Sequence, residues 1–203
     1  TYVVSEFDGL LGHYDYTTRS LSGSIGAYAG QFDGDIQVVG QDVDAKVDFI
    51  GGVYSSINYQ NFIFSAAYHT GKVETEIADL SSFQSILRMF DFHRSADELN
   101  IDDHADFYKL ALTYNSLDFF IESEITRINS NSSFIPEVNA SYIILGYNFA
   151  PFSVHATLAH SKSSYRDPVN EIPLGVDPQL DALSAGFEQI FAARYLDNLM
   201  SFS

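Results

Sequence analysis

The sequence predicts an all-β fold: an antiparallel transmembrane β-barrel, or a partial barrel, with short turns on one rim and long loops carrying short helices on the other. Three observations predict it. Side-chain character alternates with a period of two through segments rich in Tyr and Phe, as strands with one face in an apolar medium and the other in water require. The 203 residues include 13 Tyr and 17 Phe but no Trp, and the mean hydropathy is only −0.03, the near-cancelling average that lipid-facing and lumen-facing residues give together. No run approaches the roughly 20 consecutive apolar residues of a membrane helix, and only a closed barrel would otherwise satisfy the backbone in lipid.

Four hairpins follow from the alternation. The first runs from Phe7 to Thr17, turns near Thr18 and Arg19, and returns from Leu21 to Gly30, with Leu21, Ile25, Ala27 and Ala29 alternating with Ser22, Ser24 and Tyr28. The second pairs Val47–Ser56 with Asn61–Lys72, where Phe62, Phe64, Ala66 and Tyr68 share a face and His69 belongs to the other. The third is the clearest. Tyr108, Leu110, Leu112 and Tyr114 oppose Lys109, Ala111, Thr113 and Asn115; after a turn at Ser116 and Leu117, Phe119, Ile121 and Ile125 oppose Phe120, Glu122, Glu124 and Thr126. The fourth joins Ser141–Phe149 to Phe152–Ser161 through Ala150 and Pro151, a residue without a ladder donor. Its lipid-facing set is Ile143, Leu145, Tyr147, Phe149, Phe152, Val154, Ala156 and Leu158; Tyr142, Asn148, Ser153, His155 and Thr157 face inward.

The connections between hairpins, Gln31–Lys46, Val73–Asp106, Arg127–Ala140 and Lys162–Tyr195, are long and polar. Short turns on one side and long loops on the other match periplasmic and extracellular rims of outer-membrane barrels. Helical spacing appears in Asp79–Phe92 (Leu80, Phe83, Ile86, Leu87, Phe90) and in Leu180–Tyr195 (Leu183, Phe187, Ile190, Phe191). Each apolar stripe needs cover, either from the inner barrel wall or from other loops. Leu196–Ser203 reads as the start of a further strand. That leaves no even closure, so residues 1–203 are expected to form a single β-barrel domain belonging to a longer barrel.

Charge narrows the partners. With 27 Asp and Glu against 10 Lys and Arg, a net charge of −17 repels phosphate backbones and sets nucleic acid aside. The absence of Cys removes disulfides and thiolate chemistry. Asp102, Asp103, His104 and Asp106, with Glu98 nearby, offer oxygen ligands without the spacing of a calcium loop; a solvated rim explains them. Ser153, His155 and Thr157 share a face, and His160 adjoins Ser161, but no nucleophile, base and orienting group recur at a usable spacing. Neither catalysis, a metal nor a cofactor is expected. The residues expected to line a pore are Lys109, Glu122, Glu124, Thr126, His69, His155 and Thr157, with inward acid exceeding inward base and therefore a modest preference for cations.

The stretches FYKLALTYNSLDFFIESEI, SYIILGYNFAPFSVHATLAHS and LDALSAGFEQIFAARYLDNLMSFS resemble the Gram-negative outer-membrane porin family. The resemblance implies a channel for passive diffusion of small hydrophilic solutes, a location in the bacterial outer membrane among its lipids and lipopolysaccharide, and a homotrimer of barrels with about sixteen strands each and a loop folded into the channel. A plugged structural or adhesive barrel, and a soluble lipocalin-like barrel with its aromatic face around a ligand, are the alternatives.

Overall fold

In the computed structural model, residues 6–38, 41–75 and 78–200 are described, with side chains described for 8–31, 47–72, 80–100 and 104–192. Eight strands form one antiparallel sheet in sequence order: β1 (Glu6–Thr17), β2 (Leu21–Val38), β3 (Gln41–Tyr59), β4 (Phe62–Thr75), β5 (Ile101–Asn115), β6 (Phe119–Ser130), β7 (Glu137–Phe149) and β8 (Phe152–Ser164). Three helices accompany them, α1 (Ala78–Met89), α2 (His93–Asp97) and α3 (Pro178–Met200). The sheet is open. β1 and β8 are its two edges rather than neighbours, so of the barrel or partial barrel expected from the sequence these eight strands form an open antiparallel sheet and not a closed barrel.

Each of the four expected hairpins is present, and the alternation fixes its register. Two of the tight turns use one device. In the first, the Thr18 N–H donates to the Leu21 carbonyl at 2.7 Å and the Leu21 N–H donates back to Thr18 Oγ1 at 3.1 Å. In the third, Ser116 and Phe119 repeat the pattern at 2.8 and 3.0 Å. A short hydroxyl side chain mimics the backbone partner that a turn otherwise lacks. The second turn places Gln60 at φ 52°.

Three of the long connections are shorter than the sequence suggested. Gln31–Lys46 is no loop: β2 and β3 continue through it, paired from Phe32↔Val47 to Val38↔Gln41 beyond a register shift at Gly30/Phe32. Aspartates at alternate positions made these strand ends read as loop, although Phe32, Ile36, Val43 and Val47 keep the strand period. β6 and β7 likewise extend to Ser130 and from Glu137. β4 runs to Thr75 and β5 begins at Ile101, so α1 and α2 fill most of what lies between. The strand expected from Leu196 is absent, because α3 continues to Met200; residues 201–203 lie outside the described residues. No Pro or Gly follows Gly186, and the Ala, Leu and Met content of 192–200 favours helix.

The helices build a core of their own at the rim where β4, β6 and β8 end. Leu87, Ala96, Leu99, Ile172, Phe187 and Phe191 are buried together, flanked by Leu80, Phe83, Phe92, Phe134, Leu180, Leu183 and Ile190. Among the described residues no strand residue belongs to this cluster. Of the two covers open to the helical stripes, the other connections therefore supply the one observed. The sequence also ran α1 too far. It stops at Met89, Asp91 turns the chain at φ 62°, and Ile86 and Phe90 stay exposed. Asp177 caps α3, accepting from the Gln179 N–H at 2.7 Å, with Pro178 in the first turn where its missing donor costs nothing.

Aromatic rings seated over glycines lock neighbouring strands on one face of the sheet. Phe120 lies over Gly146, its register partner on β7, and Tyr54 over Gly26, its partner on β2; a Cβ at either glycine would collide with the ring. Gly146→Val is expected to unseat Phe120 and cost about 1–3 kcal/mol in urea unfolding. Adding Phe120→Ala should recover part of that loss, since residues in contact are not additive. Strict additivity would show that the ring does not occupy that seat.

Candidate functional site: a two-faced sheet

Register carries each face continuously across all eight strands. One row runs Tyr14↔Ile25↔Ser55↔Ala66↔Leu110↔Ile125↔Ser141↔His160. Another runs Ile57↔Phe64↔Leu112↔Ser123↔Ile143↔Leu158. Leu110, Leu112, Ile143, Leu145, Val154 and Leu158, assigned together from the sequence, do lie on this one face. It is apolar and uncovered: Leu110 is 61% exposed and Leu158 73%. Most large exposed hydrophobics of the described strands belong to it, with Leu11 and Ile63 on the opposite face.

Aromatic rings border this face. Towards the short turns stand Tyr59, Phe62, Tyr114, Phe119, Tyr147, Phe149 and Phe152, with ring centroids 4.8 Å apart for Phe62 and Tyr114, 6.2 Å for Tyr114 and Phe119, and 6.0 Å for Phe149 and Phe152. Towards the other rim Tyr68 and Tyr108 pair at 5.0 Å. Beyond them the same face becomes polar, where Tyr68 donates to Asp106 at 2.7 Å and Thr70 bonds His104 at 2.7 Å. Amphipathic rings suit the boundary between an apolar and an aqueous phase.

The opposite face holds all seven residues expected to line a pore, and the structure brings some of them together. Lys109 and Thr126 are direct cross-strand partners, and Lys109 Nζ lies 2.7 Å from Glu124 Oε2. Thr126 Oγ1 donates to Glu124 at 3.0 Å, and the Tyr142 hydroxyl also bonds it. Glu124 is thus locally neutralised. Glu122 sits opposite Thr113 on one side and Ile144 on the other, with Thr157 one strand further, and among the described residues no cation pairs with it. His69 stands apart, bonded to the Tyr28 hydroxyl at 2.8 Å and packed on Phe107 at 5.4 Å. His155, opposite Gly146 on edge strand β8, is four strands from His69 and far along the sheet from its row, which reaches β8 at Ser163.

Sequence reasoning missed the His13–Tyr54 contact on this face, in which the ring nitrogen and hydroxyl are 3.1 Å apart and Asp15 holds the other nitrogen at 3.0 Å. The alternation of His13 and Asp15 on β1 was its only signal. Of the acidic cluster, Asp106 accepts from Tyr68 and His104 bonds Thr70. Asp102 and Asp103 have side chains outside the described residues, and Glu98 is held by Arg166 at 2.7 Å and by Ser133. Among the described residues no group of acids and histidines converges as metal ligands, and no hydrogen bond joins Ser153, His155 and Thr157. What the geometry defines is a two-faced antiparallel meander, apolar and ring-bordered on one side, hydroxyl- and charge-bearing on the other. No protein-family model matches the chain, and a search of curated proteins returns no match.

Proposed function

We propose that this chain forms the wall of a channel through the bacterial outer membrane, with the apolar face in lipid and the polar face lining a water-filled path for small hydrophilic solutes. The observation that carries this is the sorting of the two faces: an uncovered apolar band, bounded by rings, backs a face bearing Lys109, Glu122, Glu124 and Thr126. Strands of 12 to 19 residues exceed the roughly 9–11 that a tilted strand needs to cross a bilayer. In lipid the free edges β1 and β8 must be paired, because unsatisfied backbone groups cannot remain there. Conductance in a planar bilayer tests the proposal. Discrete openings are expected; a sealed bilayer containing the inserted protein would defeat it, and a folded monomer in water without detergent would favour the soluble ligand-binding alternative.

The Lys109–Glu124 pair sharpens the expected ion preference. Since Lys109 offsets Glu124, Glu122 is the carboxylate left to attract cations. Reversal potentials in a salt gradient should show a modest cation preference that falls in Glu122→Gln and rises in Lys109→Gln, which releases Glu124. Both effects should fade as salt shortens the screening length. An anion-selective pore, or no change in either variant, would remove these residues from the conduction path.

A further inference from the structure

Arg127, Asn139 and Lys162 form one cross-strand row on β6, β7 and β8, on the apolar face and at its helix-bearing rim. One step towards the short turns lies the row Ile125–Ser141–His160, and the next is Ser123–Ile143–Leu158. The two cations are separated by two strand spacings, about 10 Å, a gap their side chains can close. Arg127 Nε donates to Asn129 Oδ1 at 2.6 Å, which fixes the guanidinium and leaves its terminal nitrogens for a further ligand.

The absence of acid partners is informative in a chain with 27 Asp and Glu against 10 Lys and Arg. Lys72 has Asp48, Lys109 has Glu124, Arg88 has Asp97, Arg94 has Glu171 and Arg166 has Glu98. Among the described residues no carboxylate pairs with Arg127 or Lys162. Two acids lie one step further out on the same face: Glu137 beyond Asn139 on β7, and Asp106 beyond Tyr108 on β5, where it accepts from the Tyr68 hydroxyl at 2.7 Å.

We propose that Arg127, Asn139 and Lys162 form a docking surface for the phosphate of an anionic membrane lipid, whose acyl chains lie along Ile143 and Leu158. The inference rests on the membrane reading of the apolar face. Charge complementarity commits it to a lipid phosphate: two unpaired cations stand where an uncovered hydrocarbon surface gives way to polar side chains, which is where a lipid presents its headgroup. A guanidinium edge matches two phosphate oxygens, the ammonium adds a point charge, and the Asn139 amide supplies a neutral donor between them.

Spin-labelled lipids in phosphatidylcholine vesicles containing the full chain test it. Spin-labelled phosphatidic acid should associate in preference to spin-labelled phosphatidylcholine. Arg127→Gln with Lys162→Gln should cut that preference about tenfold. Glu137→Gln should raise it, and Arg19→Gln, at the opposite rim, should leave it unchanged. Lys162→Gln alone, an exposed change on an edge strand, gives a partial loss and guards against misfolding of the double variant. An unchanged preference in the double variant, an equal loss in Arg19→Gln, or displacement of the lipid by inorganic phosphate would overturn the proposal. A chain that fails to float with vesicles would overturn the membrane reading as well; one that inserts and conducts without headgroup preference would overturn this site alone.

Discussion

Arginine in place of Leu145 or Leu112 is expected to weaken assembly into a bilayer by about 2–4 kcal/mol if the site lies near midplane. Both residues belong to the apolar face, Leu145 between Ile121 and Ala156 and Leu112 between Phe64 and Ser123. An arginine there buries a guanidinium in hydrocarbon with no acid of that face beside it. Thr157→Arg, on the other face of β8, is the matched control and should cost little, because that face meets water. The period of two makes this a test of the whole sheet, since a one-residue slip would exchange every residue's side at once. Folding yields into vesicles over a urea series measure it. Tolerance at both leucines, or a greater cost at Thr157, would reverse the orientation and favour an aromatic face turned towards an enclosed ligand.

The second large effect concerns the helical cap. Phe187 is fully buried and packs on Phe191 at 4.9 Å, which in turn meets Phe134 at 4.9 Å. Phe187→Ala should cost the cap about 3–5 kcal/mol through lost burial and the cavity left behind. Amide exchange gives the decisive pattern. Protection in α1 and α3 should collapse while the β5–β6–β7 ladders keep theirs, because the cluster recruits no strand residue among those described. Parallel loss in those ladders would show one cooperative unit instead. Polar ties also run through the cap, among them Asn170 to Ser184 at 2.9 Å, the Glu171 N–H to Ser95 at 2.8 Å and Arg166 to Glu98 at 2.7 Å.

The sheet was legible in the sequence wherever both faces differed in character. β4 through β8 alternate cleanly, so hairpins, facing and the seven polar-face residues could be read together. Where acids occupied alternate positions, as in 33–35 and 42–44, the same period was present but composition outweighed it, and paired strands were read as loop. Helical stripes marked the existence of α1 and α3 but not their partners, because periodicity says that a face is buried and not against what. The Glu124–Lys109 pair was hidden for a related reason. Two residues 15 positions apart become neighbours only through the register of β5 on β6, in which Ala111 opposes Glu124 and Lys109 opposes Thr126.

Because every strand pairs with its neighbours in sequence, the hairpin is the unit by which such a sheet grows or shrinks. Excising β3 and β4 would leave β2 and β5 running in opposite directions, ready to pair in the same sense as before, and inserting a hairpin at a turn would preserve direction equally. The width of the sheet can therefore change in steps of two strands, with its apolar and polar faces preserved, whereas a sheet with crossover connections would have to be rewired. The same locality keeps loop-closure costs small, since each ladder needs only the strand just made.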